Sequence, residues 1–199
     1  MNKINYDKLM TEIVSGLEKK EKLLLHSCCA PCSTACIERL EKNFNLTIYY
    51  YNPNMDSQEE FLLRRAEQQK YCQNKNIEVI LEEYLSEQYQ EVVVGLENEP
   101  EGGKRCEKCF YLRLDKTAQK AKEFGFTYFA TTLTVSPLKN AELINEIGYK
   151  IAKKHGVNYL PTDFKKQGGY LRSIELSKQN QLYRQNYCGC EFSKHFNKN

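Results

Sequence analysis

The chain reads as an α/β protein built on a parallel sheet flanked by helices, and three observations point there. Short runs rich in β-branched and aromatic residues alternate with helical stretches of about ten residues or more along its length. The residues with the most chemical potential, cysteines above all, fall just after the apolar runs. Right-handed crossovers gather the C-terminal ends of such strands on one edge, where open α/β sheets build their sites. No internal repeat and no low-complexity segment competes with this reading.

Residues 5–20 space Leu9, Ile13 and Leu17 four apart and predict an amphipathic helix. The first strand is 23–26, three leucines and His26, and it breaks at Ser27, Cys28 and Cys29. Pro31 sits where the next helix begins, its fixed φ suited to a first turn and its missing N–H no loss there; the helix runs over 33–42. The second strand, 46–51, is closed by Asn52-Pro53-Asn54. A long charged helix over 57–75 opens with Ser57 as N-cap and Glu60 three residues on, the pattern of a capping box. The third strand is 77–81, followed by a helix over 87–96 and by turn chemistry over 97–104 that suits a mobile loop. A helix over 105–124 carries Cys106 and Cys109 at its start. The fourth strand is 128–133, then a helix over 141–155 and a fifth strand over 157–160. A basic, glycine-containing loop (163–170), a helix (172–180) and a cysteine-bearing tail (183–192) complete the order. One α/β domain over 1–199 is expected: an N-terminal helix (1–21), a core (22–164) and a C-terminal basic and Cys-Gly-Cys segment (165–199).

The 29 basic and 26 acidic residues leave a net charge of +3, so any RNA contact has to come from a local patch. No apolar run reaches membrane-spanning length and residues 1–22 lack the apolar core of a signal peptide, which predicts a cytoplasmic protein with no membrane partner. In that compartment nine cysteines, an odd number, do not form a disulfide framework. They fall in clumps: Cys28, Cys29, Cys32 and Cys36; Cys106 and Cys109; Cys188 and Cys190; only Cys72 stands alone. Clumps so far apart predict convergence on one metal or redox centre. No Gly-rich phosphate loop follows the first strand, and acidic residues precede Gly102-Gly103, which excludes an ATPase or a pyridine-nucleotide dehydrogenase.

Cys106 and Cys109 share one face of a helix start, where the helix dipole favours thiolates. Alone, the pair fits zinc, iron–sulfur and thioredoxin-like redox chemistry alike. Cys28 and Cys29 are adjacent, and consecutive side chains diverge, so they suit two corners of a cluster better than one ion. With Cys106 and Cys109 they make four thiolates, the usual complement of a [4Fe–4S] cluster. A four-cysteine zinc site stays open, although adjacent cysteines fit zinc knuckles less well. Cys32 is either a further ligand or a nearby thiol; Cys36 and Cys72 read as buried apolar cysteines. Gly189 lets Cys188 and Cys190 turn toward each other, to cycle between dithiol and disulfide or to hold a second metal.

Taken together, five segments resemble the cobalamin-independent epoxyqueuosine reductases (the QueH type): His26 to Cys32; the acidic turn leading into Arg105-Cys106-x-x-Cys109-Phe110; Thr131 to Pro137; Asp163-Phe164-Lys165-Lys166; and Leu182 to Cys190. The resemblance implies an adenine-nucleotide alpha-hydrolase-like (Rossmann-like) fold with cysteines in place of a phosphate loop. It implies an oxidoreductase that converts epoxyqueuosine to queuosine at the wobble position of tRNA, the last step of queuosine biosynthesis. It implies a [4Fe–4S] cluster on Cys28, Cys29, Cys106 and Cys109, with a second, mononuclear metal (iron) beside it. Cys188 and Cys190 become the redox-active pair or, with Cys32 and Asp163, candidate ligands of that second metal. The partners are the tRNA carrying epoxyqueuosine and an unidentified electron donor.

Deoxygenating an epoxide takes two electrons and two protons, so a redox centre and a general acid are required. His26 is a candidate acid, with a core role the competing reading. Lys165, Lys166, Tyr170 and Arg172 form a basic–aromatic stretch on the expected edge, and Arg64 and Arg65 follow the second strand; these are the candidate RNA-binding residues. Two other readings stand beside the reductase: a zinc-stabilised RNA-binding module, and a thiol-based sulfur transferase or oxidoreductase acting on a small molecule.

Overall fold

Leu23, Leu24 and Leu25 have no exposed surface, and they form the middle of β1 (Glu21–His26). A strand that is apolar at successive positions has to be covered on both faces, as the centre of a parallel sheet is. The computed structural model, which describes residues 4–194, places β1 at the centre of five strands. β2 (Phe44–Tyr50) and β4 (Tyr128–Thr131) flank it, and β3 (Glu78–Leu81) and β5 (Asn158–Tyr159) form the edges, all parallel, in the order β3-β2-β1-β4-β5. The two ends of the expected 1–199 span, residues 1–3 and 195–199, lie outside the described residues.

Side chains alternate across the sheet. Leu23 and Leu25 pack with Ile48 and Ala130 and with residues of α1 (Tyr6–Ser15), α2 (Ala30–Leu40) and α3 (Gln58–Asn74). Leu24 faces the other way, with Tyr49 and Phe129, under α5 (Lys104–Glu123) and α6 (Ala141–His155). α4 (Ser86–Val93) precedes α5; α7 (Gly169–Gln179) packs on α2, and α8 (Glu191–Lys194) closes the tail. The chain moves outward from β1 through β2 and β3, then returns to β4 on the opposite side of β1. That reversal opens a crevice beyond the C-terminal ends of β1 and β4. His26 pairs in register with both Tyr49 and Thr131, so the loops of the three central strands leave the sheet at one level.

Several boundaries differ from those the sequence suggests, each for a local reason. α2 begins at Ala30, with Cys29 as N-cap and Pro31 in the first turn. β4 stops at Thr131, whose hydroxyl accepts from Leu133 N and bends 132–135 into a 3-10 turn. α7 begins at Gly169, which lies so close to the Phe164 carbonyl that a Cβ would stand 1.9 Å from its oxygen. Ser57 caps α3 through Glu60 N, but the Glu60 carboxylate turns to Arg64 and completes no reciprocal box. The acidic turn at 97–104 is pinned: Arg105 Nη1 donates to the carbonyls of Leu96, Glu97 and Glu99 at 3.0, 3.0 and 2.6 Å. Among the described residues, no helix is long and apolar enough to cross a membrane.

Candidate metal and redox site

Cys28 leaves the end of β1, Cys29 is the extended N-cap of α2, and Cys32 returns one helical turn later. The extended backbone at Cys29 (φ −174°, ψ 160°) folds the three sulfurs toward one point. Their Sγ atoms all lie within 4.8 Å of one another, and Cys28 and Cys29 are 3.8 Å apart. This corrects the expectation that adjacent cysteines diverge: the helix start supplies the turn that brings them together. The Cys29 and Cys32 thiols hydrogen-bond the Cys28 sulfur and hold its pKa well below the ordinary thiol value, with the positive charges of Arg113 and Lys139 assisting. The same sharing pushes Cys29 up to about 12 and Cys32 well above its usual value. Cys28 is therefore the most acidic thiol of the trio, with Cys29 and Cys32 as its hydrogen-bonding partners.

The remaining sulfurs meet in an adjoining chamber of about 30 Å³, lined by Cys106, Cys109, Cys188 and Cys190 together with Asn54, Tyr89, Arg105 and Lys139. Burial pushes Cys109 up to about 12, against the pull of Arg113, and raises Cys106 and Cys190 as well. The Cys188–Cys190 turn is anchored by α3 and by the loop after β2. Gly189 O accepts from Asp56 N at 2.8 Å, and Arg64 Nη1 reaches Cys188 O at 3.4 Å while its guanidinium covers the Tyr187 ring. Gly189 has φ +113°, as a sharp Cys-Gly-Cys turn requires. Cys188 also lines a wider cleft of about 480 Å³ with Cys28, Cys32, Lys139, Tyr170, Arg184 and Tyr187.

Two cations face these sulfurs, and neither stands out in the sequence. Arg113 is fully buried: Nη2 donates to Asn52 Oδ1 at 2.6 Å, and Nη1 lies 3.9 Å from Cys109 Sγ. Lys139, half-buried, lines the chamber and the cleft. Burial alone would lower the Lys139 pKa, but the cysteine sulfurs around it outweigh burial and raise it, which favours the protonated Nζ. Among the described residues no carboxylate pairs with either. A buried cation without a counter-ion is costly. Seven converging thiols with two cations that lack a carboxylate partner therefore fit an anionic metal–thiolate group, and soft sulfur donors of this kind suit a thiophilic metal.

The other candidates fall differently. His26 is fully buried, its Nε2 lying 3.1 Å from the Tyr51 carbonyl oxygen and 3.3 Å from Arg113 Nε, and its Nδ1 meeting the Thr131 hydroxyl at 2.9 Å. Burial, then the Arg113 charge, lowers its pKa to about 3, which favours a neutral imidazole and the core role over that of a proton donor. Asp163 lines a separate groove of about 790 Å³ with Lys165, Lys166 and Tyr170; no cysteine lines it, and its carboxylate pairs with Lys165 at 3.3 Å. Arg172 is held by Glu38 and Glu175, Arg65 pairs with Glu83, and Arg64 is buried against Glu60, which leaves Lys166 as the exposed base of the expected stretch. Cys36 and Cys72 are buried in the core as expected.

The fold is that of the U34-tRNA thiolase NcsA from Methanococcus maripaludis, a structure determined with its [4Fe-4S] cluster: TM-score 0.57 at 15% identity, over 94% of this chain and 67% of that one. Sheet order and clustered cysteines together define a parallel-sheet α/β protein of this fold class with a thiol-rich site at the C-terminal edge of its sheet. Within that class the chain belongs to the epoxyqueuosine reductase QueH family, whose model matches residues 23–195. It is 43% identical to epoxyqueuosine reductase QueH of Streptococcus pyogenes serotype M1, over 96% of this chain and 78% of that protein. It is 37% identical to the Thermotoga maritima protein of the same name, over 86% and 89% respectively.

Proposed function

We propose that this chain reduces epoxyqueuosine to queuosine at the wobble position of tRNA by means of an iron–sulfur centre. The observation that carries the mechanism is the gathering of seven of the nine cysteines at the sheet's C-terminal edge: Cys28, Cys29 and Cys32 within 4.8 Å of one another, and six of the seven, all but Cys29, lining two adjoining cavities. In this reading Cys28, Cys29, Cys106 and Cys109 hold a [4Fe–4S] cluster, and Cys188 and Cys190 form the redox pair or, with Cys32, take a second mononuclear iron. Asp163, paired with Lys165 in the neighbouring groove, is not assigned to that set in this reading. The cluster, when bound, supplies electrons singly from an external donor of still unassigned identity.

The reaction breaks both C–O bonds of the epoxide, and two electrons and two protons turn its oxygen into water and leave an alkene. The cleft of about 480 Å³ has room for a nucleoside. Tyr170, with the Arg184 guanidinium 5.5 Å from its ring centroid, offers a stacking face for a base drawn out of the anticodon loop, while the Tyr187 ring, occupied by Arg64 and Lys194, walls the cleft. Lys139 Nζ holds a proton beside Cys28 and Cys188 and donates it toward the oxygen as negative charge develops there.

The test is metal and sulfide analysis of anaerobically purified protein, with visible spectra before and after dithionite. Brown protein that bleaches, with iron and acid-labile sulfide at cluster stoichiometry, supports the reading and leads to an assay on epoxyqueuosine-containing tRNA. Zinc protein that stays colourless after reconstitution with iron and sulfide overturns the redox mechanism.

A further inference from the structure

Asn54 lines the chamber walled by Cys106, Cys109, Cys188 and Cys190. Its side chain is 1% exposed, and among the described residues neither Nδ2 nor Oδ1 has a hydrogen-bond partner. The contrast with Asn52, on the same loop, is direct. Asn52 Nδ2 donates to the Ser27 carbonyl at 2.9 Å and its Oδ1 accepts from Arg113 at 2.6 Å. Nothing about the loop prevents an asparagine there from being satisfied. Folding leaves few buried amides unpartnered, because each forfeits hydrogen bonds it had in water. A leucine has nearly the same size and would line this chamber without that penalty.

The groups surrounding Asn54 explain why its amide waits. A thiol sulfur is a weak acceptor, whereas a metal-bound sulfur is deprotonated and accepts from N–H groups. Hydrogen bonds to the sulfurs are among the levers that set the potential of an iron–sulfur centre. The donor stabilises the more negative, reduced state more than the oxidised one.

We propose that Asn54 is a positioning residue for the sulfur centre, its Nδ2 donating to metal-bound sulfur at the Cys106–Cys109 wall and raising the reduction potential. This rests on the iron–sulfur reading above. The experiment compares wild type, Asn54→Leu and Asn54→Ala as full-length chains reconstituted with iron and sulfide, and the same three proteins free of metal. Iron and sulfide content and the midpoint potential are measured on the first set, and the thermal midpoint on the second. Both variants are expected to retain wild-type iron and sulfide. The equilibrium constant for one-electron reduction is expected to fall about ten-fold, a shift of ~59 mV to more negative potential. Metal-free Asn54→Leu is expected to melt no lower than wild type, since it loses only an unsatisfied amide. An unchanged potential in cluster-bearing variants overturns the proposal while leaving the iron–sulfur reading intact. A wild-type protein that takes up no iron overturns that reading and the proposal together.

Discussion

Arg113 shows at the residue scale how the sulfur site differs from a set of buried thiols. Its guanidinium has no acidic partner among the described residues, and it lies against Cys109 and within range of the Cys28 charge. The negative charge it balances is therefore the one that the sulfurs carry. Arg113→Met is expected to weaken iron retention ~10–100-fold, the usual loss when a group supporting metal ligands is removed. Metal titration monitored by visible absorbance measures it; wild-type affinity would mean that Arg113 serves only the fold. Lys139 lines both the chamber and the cleft. Lys139→Met is expected to lower kcat/KM about 10²–10³-fold, the range of a lost proton donor or oxyanion partner, with iron content unchanged. The cysteines were legible in the sequence because clumps of thiols are rare. Arg113 and Lys139 were not, because a charged residue on a helix or in a loop is usually solvated. One signal for Arg113 was present: it stands four residues after Cys109, on the same face of α5.

At the scale of elements, the tail and the α5–α6 pair are fastened in ways that single substitutions can separate. A Cβ at Gly189 would meet Met55 Sδ at 2.5 Å and Arg64 Nη1 at 3.1 Å, on a backbone with φ +113°. Gly189→Ala is expected to displace Cys188 and Cys190 from the chamber and abolish most turnover. Its cost to global stability is smaller, ~1 kcal/mol, because the turn is at the periphery. Parallel activity and chemical-denaturation measurements test it, and equal losses in both would make the turn a structural element only. Asp115 on α5 accepts from Lys154 and His155 at the end of α6, each at 2.8 Å. Burial raises the Asp115 pKa, but these two partners outweigh it and hold the carboxyl below its ordinary 3.8. A depressed carboxylate contributes stability that is present above its unfolded pKa and lost as pH falls through the lower folded value. Asp115→Asn should therefore cost ~0.5–1 kcal/mol at neutral pH, discounted for the partly exposed pair, and the cost should vanish as pH falls through the depressed folded value. Denaturation midpoints across pH measure this, and a cost independent of pH would contradict the assignment.

For the whole molecule, the parallel sheet and its site-bearing edge followed from the alternation of strands and helices, since β1 had to be covered on both faces. The sequence could not show the strand order, which depends on where each crossover lands, nor that Asp163 would face a different groove from the cysteines. It also could not show which bases face solvent. Arg64, Arg65 and Arg172 are occupied by carboxylates, whereas Lys166 and Arg184 are exposed on the groove and the cleft that meet at Tyr170. A tRNA seated with its wobble base in the cleft would run its backbone along these two. Removing one phosphate-binding cation makes the dependence of log K on log salt shallower by ~0.7–0.9. The double variant Lys166→Glu, Arg184→Glu is thus expected to bind tRNA more weakly and to reduce the slope by ~1.5, measured by filter binding between low and moderate salt. Arg172→Glu, whose base is already paired with Glu38 and Glu175, is the control and should leave the slope at the wild-type value. An unchanged slope in the double variant, or an equal reduction in the control, would move the RNA path off this edge of the sheet.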